Sequence, residues 1–251
     1  MTQNAISIHN LDFRYPGSAK NCLHHLNLQV ATGERFGIFG PNGAGKTTLM
    51  NCMTGLLPIK EGVIELMGRP ITQNKTAINK LFGFVPQDFS FYHELSPAEN
   101  LAFFGAWSGM RKPAIKKRTV ELLEILNLAD VRNQQVQKFS GGMKRRVNLA
   151  IGVIHNPQIL FLDEPTVGVD VQTRSAIISY LKELNRNGTT LVYTSHQLNE
   201  AEELCDKIAL IDQGKIIAHN SINTLLQEHN EAGLEGLFIR LTGKKYSDPD
   251  V

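Results

Sequence analysis

The sequence predicts an α/β protein in which a parallel sheet carries helices on its faces, with an antiparallel β-subdomain at the N-terminal end and a helical insert. Three observations predict it. Two alternating apolar segments open the chain, Ile6, Ile8 and Leu11 and then Leu26, Leu28 and Val30, and a period of two belongs to half-buried strands. The apolar run Phe36–Phe39 empties into a glycine-rich loop followed by helical sequence. From residue 157 onward, short apolar runs alternate with helical segments, the order of strand–helix–strand units in a parallel sheet.

Pro16-Gly17 breaks the first two strands, which are expected to pair antiparallel. After the glycine loop, Lys46 to Leu56 has helical character and stops before Pro58. Val63 to Leu66 and Phe82 to Val85 read as further strands. The helical insert begins near Asp88, with helices over Pro97 to Trp107, Ala114 to Leu126 and Gly141 to Ile154. The last places Met143, Val147, Ile151 and Ile154 at spacings of three and four and ends before Pro157. Beyond it come a strand over Ile159–Leu162, a helix over Thr173–Asn187, a strand over Thr190–Thr194, a helix over Leu198–Leu204 and a strand over Lys207–Ile211. Residues 1–87 and 157–220 are expected to form the core with its β-subdomain, 88–156 a helical subdomain, and 221–251 a C-terminal helical tail that frays from Lys244.

The 251 residues are 42% hydrophobic, enough for a sizeable core. Twenty-six basic against 24 acidic residues leave a formal charge of +2, so the total charge predicts no broad attraction to nucleic acid or anionic lipid. Cys22, Cys52 and Cys205 are odd in number and form no C-x-x-C pair, which argues against a disulfide framework or zinc knuckle. All three are expected to be reduced and packed. The opening residues carry no secretory pattern, which suggests a cytosolic start. No window approaches the ~20 apolar residues of a membrane span, so any passage across a bilayer would have to come from a partner.

Gly40, Pro41, Asn42, Gly43, Ala44, Gly45, Lys46, Thr47 and Thr48 fit G-x-x-x-x-G-K-[ST] between a predicted strand and helix, the context in which this motif binds phosphate. The glycines let backbone N–H groups turn toward phosphate oxygens at the positive end of a helix. Lys46 is expected to reach the β- and γ-phosphates and the Thr47 hydroxyl to ligate Mg²⁺. The fold is therefore expected to be a P-loop NTPase core of RecA-like type.

Ile159-Leu-Phe-Leu-Asp163-Glu164 delivers two carboxylates at the C-terminal end of an apolar strand, where α/β sheets place ligands. Since successive strand residues point opposite ways, Asp163 can hold Mg²⁺ while Glu164 orients the attacking water. Without the phosphate loop the same pair would read as solvated acids. The strand Leu191-Val-Tyr-Thr-Ser ends in His196, a possible donor to the γ-phosphate. His24-His25 is most simply a strand entrance.

Phe139-Ser140-Gly141-Gly142-Met143 resembles the signature sequence of ATP-binding cassette proteins, usually written Leu-Ser-Gly-Gly-Gln. It departs from it at both ends, and Met-Lys-Arg-Arg is familiar in the branch whose permeases are called ABC-2 type. Other marks resemble the family from Ile6 to Gly243. Tyr15 resembles the aromatic that stacks on adenine, and Gln87 the glutamine at the edge of the insert, a further candidate for catalysis and Mg²⁺. Asp170 resembles the D-loop aspartate and His196 the switch histidine. Singly, Tyr15 also reads as a packed turn residue, Gln87 as a loop polar group and Asp170 as a helix N-cap.

The resemblance implies an ATPase subunit that works as a head-to-tail dimer with two Mg²⁺-ATP molecules at the seam. Each would be held by the phosphate loop of one subunit and the signature segment of the other, here Ser140, Gly141 and Gly142, in a homodimer or a heterodimer of ATPase subunits. It also implies an integral membrane permease on another chain, and hence a place at the cytoplasmic face of the membrane. Phe91-Tyr-His-Glu-Leu-Ser-Pro-Ala-Glu-Asn-Leu and Leu234-Glu-Gly-Leu-Phe-Ile-Arg-Leu-Thr-Gly resemble the drug, antibiotic and nodulation-factor exporter branch, although Gly236 stands where a second acid is usual. In the family, the helical insert bears the groove for the permease. The apolar run Leu101 to Trp107 suits that groove or the insert's own packing, and Arg111-Lys112 and Lys116-Lys117-Arg118 suit lipid headgroups or a solvated helix face. Non-transport cassette proteins acting on ribosomes or chromosomes usually carry tandem cassettes or a long coiled coil, and neither is visible. A guanine-reading Asn-Lys-x-Asp is absent from the sequence.

Overall fold

A computed structural model describes residues 3–243 and 246, without the side chain of Asn199. Apart from Tyr246, the expected frayed stretch 244–251 lies outside the described residues. The chain divides into two compact units, Met1–Ile78 with Thr190–Val251 and Asn79–Thr189.

The first unit opens with strands β1 (Asn4–Phe13) and β2 (Leu23–Ala31), which pair antiparallel as expected. Ile6, Ile8, Leu11, Leu26, Leu28 and Val30 are all buried on one side of the pair. The register shifts between Ile8 and Leu11, where Asn10 takes a positive φ. This bulge keeps both Ile8 and Leu11 on the buried face despite their odd spacing. Strand β3 (Arg35–Phe39) leads through the glycine loop into helix α1 (Lys46–Met53). That helix stops three residues short of the expected end, because Gly55 turns the chain at φ +71°. Strands β4 (Glu61–Leu66) and β5 (Arg69–Pro70) complete a four-stranded sheet in the order β2-β1-β4-β5, and helix α2 (Lys75–Asn79) follows.

The second unit contains strand β6 (Phe82–Val85) and helices α3 (Pro97–Trp107), α4 (Lys112–Ile125) and α5 (Gly141–Val153), then strand β7 (Ile159–Asp163) and helix α6 (Val171–Arg186). Strands β6 and β7 pair in parallel. Ser96 caps α3 in a capping box with Glu99, Ser140 caps α5 and Asp170 caps α6. Each supplies an acceptor to an otherwise unpaired N–H of the first turn. The loop before α3 is held by Asn100, which is fully buried. Its side chain accepts from the Tyr92 N–H at 2.9 Å and donates to the carbonyls of Tyr92 at 3.0 Å and Ser96 at 3.1 Å. Replacing Asn100 with alanine strands buried backbone groups and is expected to cost about 3 kcal/mol of stability, read as a lower urea midpoint at unchanged slope.

The chain returns to the first unit with strand β8 (Thr190–Ser195), helix α7 (Asn199–Leu204), strands β9 (Lys207–Asp212) and β10 (Lys215–Ser221), and helices α8 (Ile222–His229) and α9 (Leu234–Thr242). Strand β3 lies between β8 and β9, parallel to both. Strand β10, not expected from the sequence, pairs antiparallel with β9. Gln213 and Gly214 both take positive φ between them, the geometry of a two-residue hairpin turn matched to strand twist. The three cysteines are free. Burial pushes the Cys52 thiol up to about 12, with Cys22 adding to the rise, and burial raises Cys205 likewise. Such thiols are unreactive packing groups. Among the described residues, no helix is long and apolar enough to cross a membrane.

Candidate functional site

Loop 40–45 joins the end of β3 to the start of α1, with Gly45 as the N-cap at φ +109°. Among the described residues no side chain caps this helix, so its first-turn N–H groups and the positive end of its dipole are left to an anion. A second constraint, invisible in the sequence, acts at Gly40. A Cβ there would lie 2.2 Å from the Ile211 carbonyl oxygen, so β9 runs too close for any side chain. The Lys46 ammonium lies inside the loop and donates to the carbonyls of Gly40 at 2.8 Å and Pro41 at 3.2 Å.

Tyr15 follows β1, its ring edge-on to Phe13 at 5.0 Å. Its hydroxyl shares a hydrogen bond with the Thr48 hydroxyl at 3.0 Å. The same Thr48 oxygen accepts from the Cys22 thiol at 3.4 Å. Two predicted site residues from distant sequence, Tyr15 and Thr48, are thus brought together. Tyr15 is 41% exposed, and it borders a cavity of about 690 Å³ with Arg14, Pro16, Leu57 and Lys60. The packed-turn reading therefore covers only part of the ring. In the same unit, His196 is buried just after β8. The turn that carries it is braced by the Gln197 N–H donating to Ser195 Oγ at 2.9 Å. It is braced further by Tyr193 donating to the buried Glu200 carboxylate at 2.5 Å.

In the second unit, Asp163 ends β7 and Glu164 follows it, both buried. Glu164 takes φ +48°, a left-handed conformation that costs a non-glycine residue about 1–2 kcal/mol. Strand alternation, the basis on which the sequence separates the two carboxylates, is therefore not what aims Glu164. A left-handed turn aims it. Gln87 Nε2 donates to Glu164 Oε2 at 3.1 Å, so the glutamine from the end of β6 and the acid from the end of β7 form one pair. This bond leaves the side-chain Oε1 of Gln87 as an acceptor.

Ser140 Oγ accepts from the Met143 N–H at 3.3 Å at the start of α5. Asp170 accepts from the Thr173 N–H at 2.9 Å and from its hydroxyl at 2.7 Å, and these bonds hold its carboxyl below the usual range. The N-cap reading of Asp170 thus holds as a structural fact. A Cβ at Gly142 would lie 3.2 Å from Thr173 Oγ1 and 3.5 Å from Asp170, so the signature glycine lets α5 approach the start of α6. Sequence reasoning passed over Arg145, which is buried on α5 and donates to the Gln87 carbonyl at 2.8 Å. As the middle of three consecutive basic residues, Lys144 to Arg146, it carries no local signal of burial.

The profile of a family described as ABC transporter matches residues 23–167, more than half of the chain. The chain belongs to the ABC transporter family. Its ABC domain is 41% identical to a linearmycin resistance ATP-binding protein of Bacillus subtilis (strain 168) over 79% of this chain and 64% of that protein. The match therefore spans just under two thirds of that relative. It is 35% identical to a daunorubicin resistance ATP-binding protein of Streptomyces coeruleorubidus, over 97% of this chain and 80% of the other. It is also 38% identical to Nod factor export ATP-binding protein I of Rhizobium sp. (strain N33), over 84% and 69%. The solved ATP-binding subunit of an ABC transporter matches the ABC domain with TM-score 0.88 at 25% identity, covering 95% of this chain and 99% of that one. A dimeric ATP-binding cassette in a post-hydrolysis state, bound to ADP and Pi, matches with TM-score 0.79 at 27% identity, over 86% and 98%. The P-loop α/β fold expected from the sequence is the fold of both.

Proposed function

We propose that the chain is the ATP-hydrolysing subunit of an exporter. In this reading, closure of an ATPase dimer around two ATP molecules and its reopening after hydrolysis drive a separate membrane permease. The observation that carries it is the loop 40–48, where a helix without a side-chain cap presents its N–H groups beside a lysine ammonium held inside the loop. The curated relatives are named for drug resistance and Nod factor export, which favours the ABC-2 exporter branch. The dimeric relative holds ADP and Pi, the products of the reaction proposed here.

The proposed roles follow from chemistry. Backbone N–H groups of residues 40–48 and Lys46 bind the triphosphate. Tyr15 stacks on the base, and Ser140, Gly141 and Gly142 of a second copy hold the γ-phosphate, with Asp170 at the dimer seam. Glu164 takes the proton of the attacking water as Gln87 holds the carboxylate in place, and His196 donates to the γ-phosphate. Thr47, Asp163 and the side-chain Oε1 of Gln87 offer only oxygen donors of hydroxyl, carboxylate and carboxamide type. That set fits Mg²⁺, which typically takes few protein ligands and completes its shell with phosphates and water. When bound there, Mg²⁺ would supply positive charge beside the phosphates.

The proposed partner is a permease carrying the membrane spans, which would set the ATPase at the cytoplasmic face. Tyr92, Phe103 and Trp107 support such a partner. They form a chain of ring contacts at 4.9 and 6.4 Å, and Trp107 is 79% exposed, an unusual apolar surface. Leu101 and Gly105, on the opposite side of the same helix, are buried. The test is phosphate release by the purified chain with MgATP. Chelation with EDTA is expected to stop hydrolysis and added Mg²⁺ to restore it, and hydrolysis unaffected by EDTA refutes the metal assignment. Tagged chain expressed with its natural neighbours should co-purify with an integral membrane protein.

A further inference from the structure

Arg145 is only 5% exposed, although it lies on a helix near the surface of the insert. One guanidinium nitrogen donates to the carbonyls of Gln87 at 2.8 Å and Pro86 at 3.4 Å, and the other donates to the carbonyl of Val167 at 3.4 Å. The Phe89 ring lies beneath it, 4.9 Å from the guanidinium carbon. Burial lowers the arginine pKa, while Asp88, Glu164 and Asp163 pull it back up. Its Nε finds no hydrogen-bond partner among the described residues. A buried guanidinium with one donor unmet is costly, and a packing role alone would be served better by an apolar side chain.

What it joins explains the cost. Pro86 and Gln87 belong to the loop after β6, and Val167 to the turn after Glu164. These two segments meet through the Gln87–Glu164 side-chain bond at 3.1 Å. Asn148, three residues further along α5, donates to the same Pro86 carbonyl at 3.0 Å. Helix α5 therefore grips both supports of the proposed hydrolytic carboxylate by their backbones, and only a planar fork can bridge two loops at once.

We infer that Arg145 is the positioning residue that couples the two ATP sites of the dimer, by tying the signature helix to Gln87 and Glu164 of its own chain. The inference rests on the function proposed above, in which the Ser140 end of α5 meets the nucleotide of the second copy while Gln87 and Glu164 serve their own. A shift of α5 when the partner's γ-phosphate arrives then carries the loop and the turn with it, and each site responds to occupancy of the other.

The test is ATP hydrolysis by the full chain against ATP concentration, with binding of a fluorescent ATP analogue measured in parallel. The wild-type curve is expected to have a Hill coefficient near the limit of about 2 for two sites. Arg145→Met should bring it to about 1 and lower kcat about tenfold, with analogue affinity within about twofold of wild type because the phosphate loop is untouched. Arg145→Lys, which keeps the charge and loses the fork, should resemble Arg145→Met. A Hill coefficient that stays at the wild-type value in Arg145→Met overturns the inference, and so does a wild-type coefficient of 1 or full rescue by lysine. Should Arg145→Met fail to fold, Phe89→Leu loosens the same guanidinium from below. A lowered coefficient there supports the coupling, and a wild-type coefficient overturns it. Lys46→Ala separates the two readings: an inactive Lys46→Ala beside an unaltered Arg145→Met removes the coupling alone, whereas a fully active Lys46→Ala removes the proposed function.

Discussion

Lys46→Ala is expected to lower ATP hydrolysis by at least about a thousandfold, equivalent to about 4 kcal/mol of lost transition-state stabilisation. The ammonium donates to the carbonyls of Gly40 and Pro41, so it serves the loop in two ways. It neutralises two backbone oxygens that would otherwise point their negative ends toward the phosphate region. It also supplies the one full positive charge in a loop whose other phosphate contacts are N–H dipoles. Alanine removes both. Lys46→Arg is expected to rescue little, because a planar fork cannot occupy the space between two carbonyls taken by a compact ammonium. The check is steady-state phosphate release together with the melting temperature. Loss of activity at an unchanged melting temperature identifies a charge effect, and retention of more than about a tenth of the wild-type rate contradicts the assignment.

Most elements that carry the site were legible because their signals are local. Phe36–Phe39 is apolar and stops at a glycine, Ile159–Leu162 is apolar and stops at two acids, and both run lengths suit buried parallel strands. Strand β10 escaped because Gln213-Gly214 is a weaker turn signal than Asn-Gly, and because Ile216, Ile217 and Ala218 do not alternate cleanly with polar residues. Within the site, residue identity was legible and its cause often was not. Gly40 reads as a phosphate-binding glycine, yet the carbonyl of Ile211 on another strand already forbids a side chain there. Arg145 reads only as the middle of Lys144-Arg145-Arg146, the basic run that follows the signature-like segment. Its burial depends on carbonyls 58 and 22 residues away, and a local pattern carries no information about such partners.

Glu164→Gln is expected to slow hydrolysis by about a hundredfold to a thousandfold, the usual worth of a positioned general base, while preserving nucleotide binding and accumulating an ATP-bound dimer. The geometry makes this substitution unusually clean. Glu164 is set by a left-handed backbone at φ +48°, which a glutamine adopts at the same cost, so the side chain leaves the backbone in the same direction. Its carboxylate accepts from Gln87 Nε2, and a glutamine carbonyl oxygen accepts that bond equally well. The negative charge and the basicity are lost. Loss of basicity stalls the step that would release the γ-phosphate. Loss of a negative charge near bound triphosphate also favours the closed state, so the dimer should persist as long as ATP does. Size-exclusion chromatography in MgATP should show the dimer for Glu164→Gln and mostly monomer for the wild type after turnover. Normal turnover by the variant would assign the base elsewhere, whereas slow turnover without a dimer would keep Glu164 as the base and remove the γ-phosphate as the group that both copies hold.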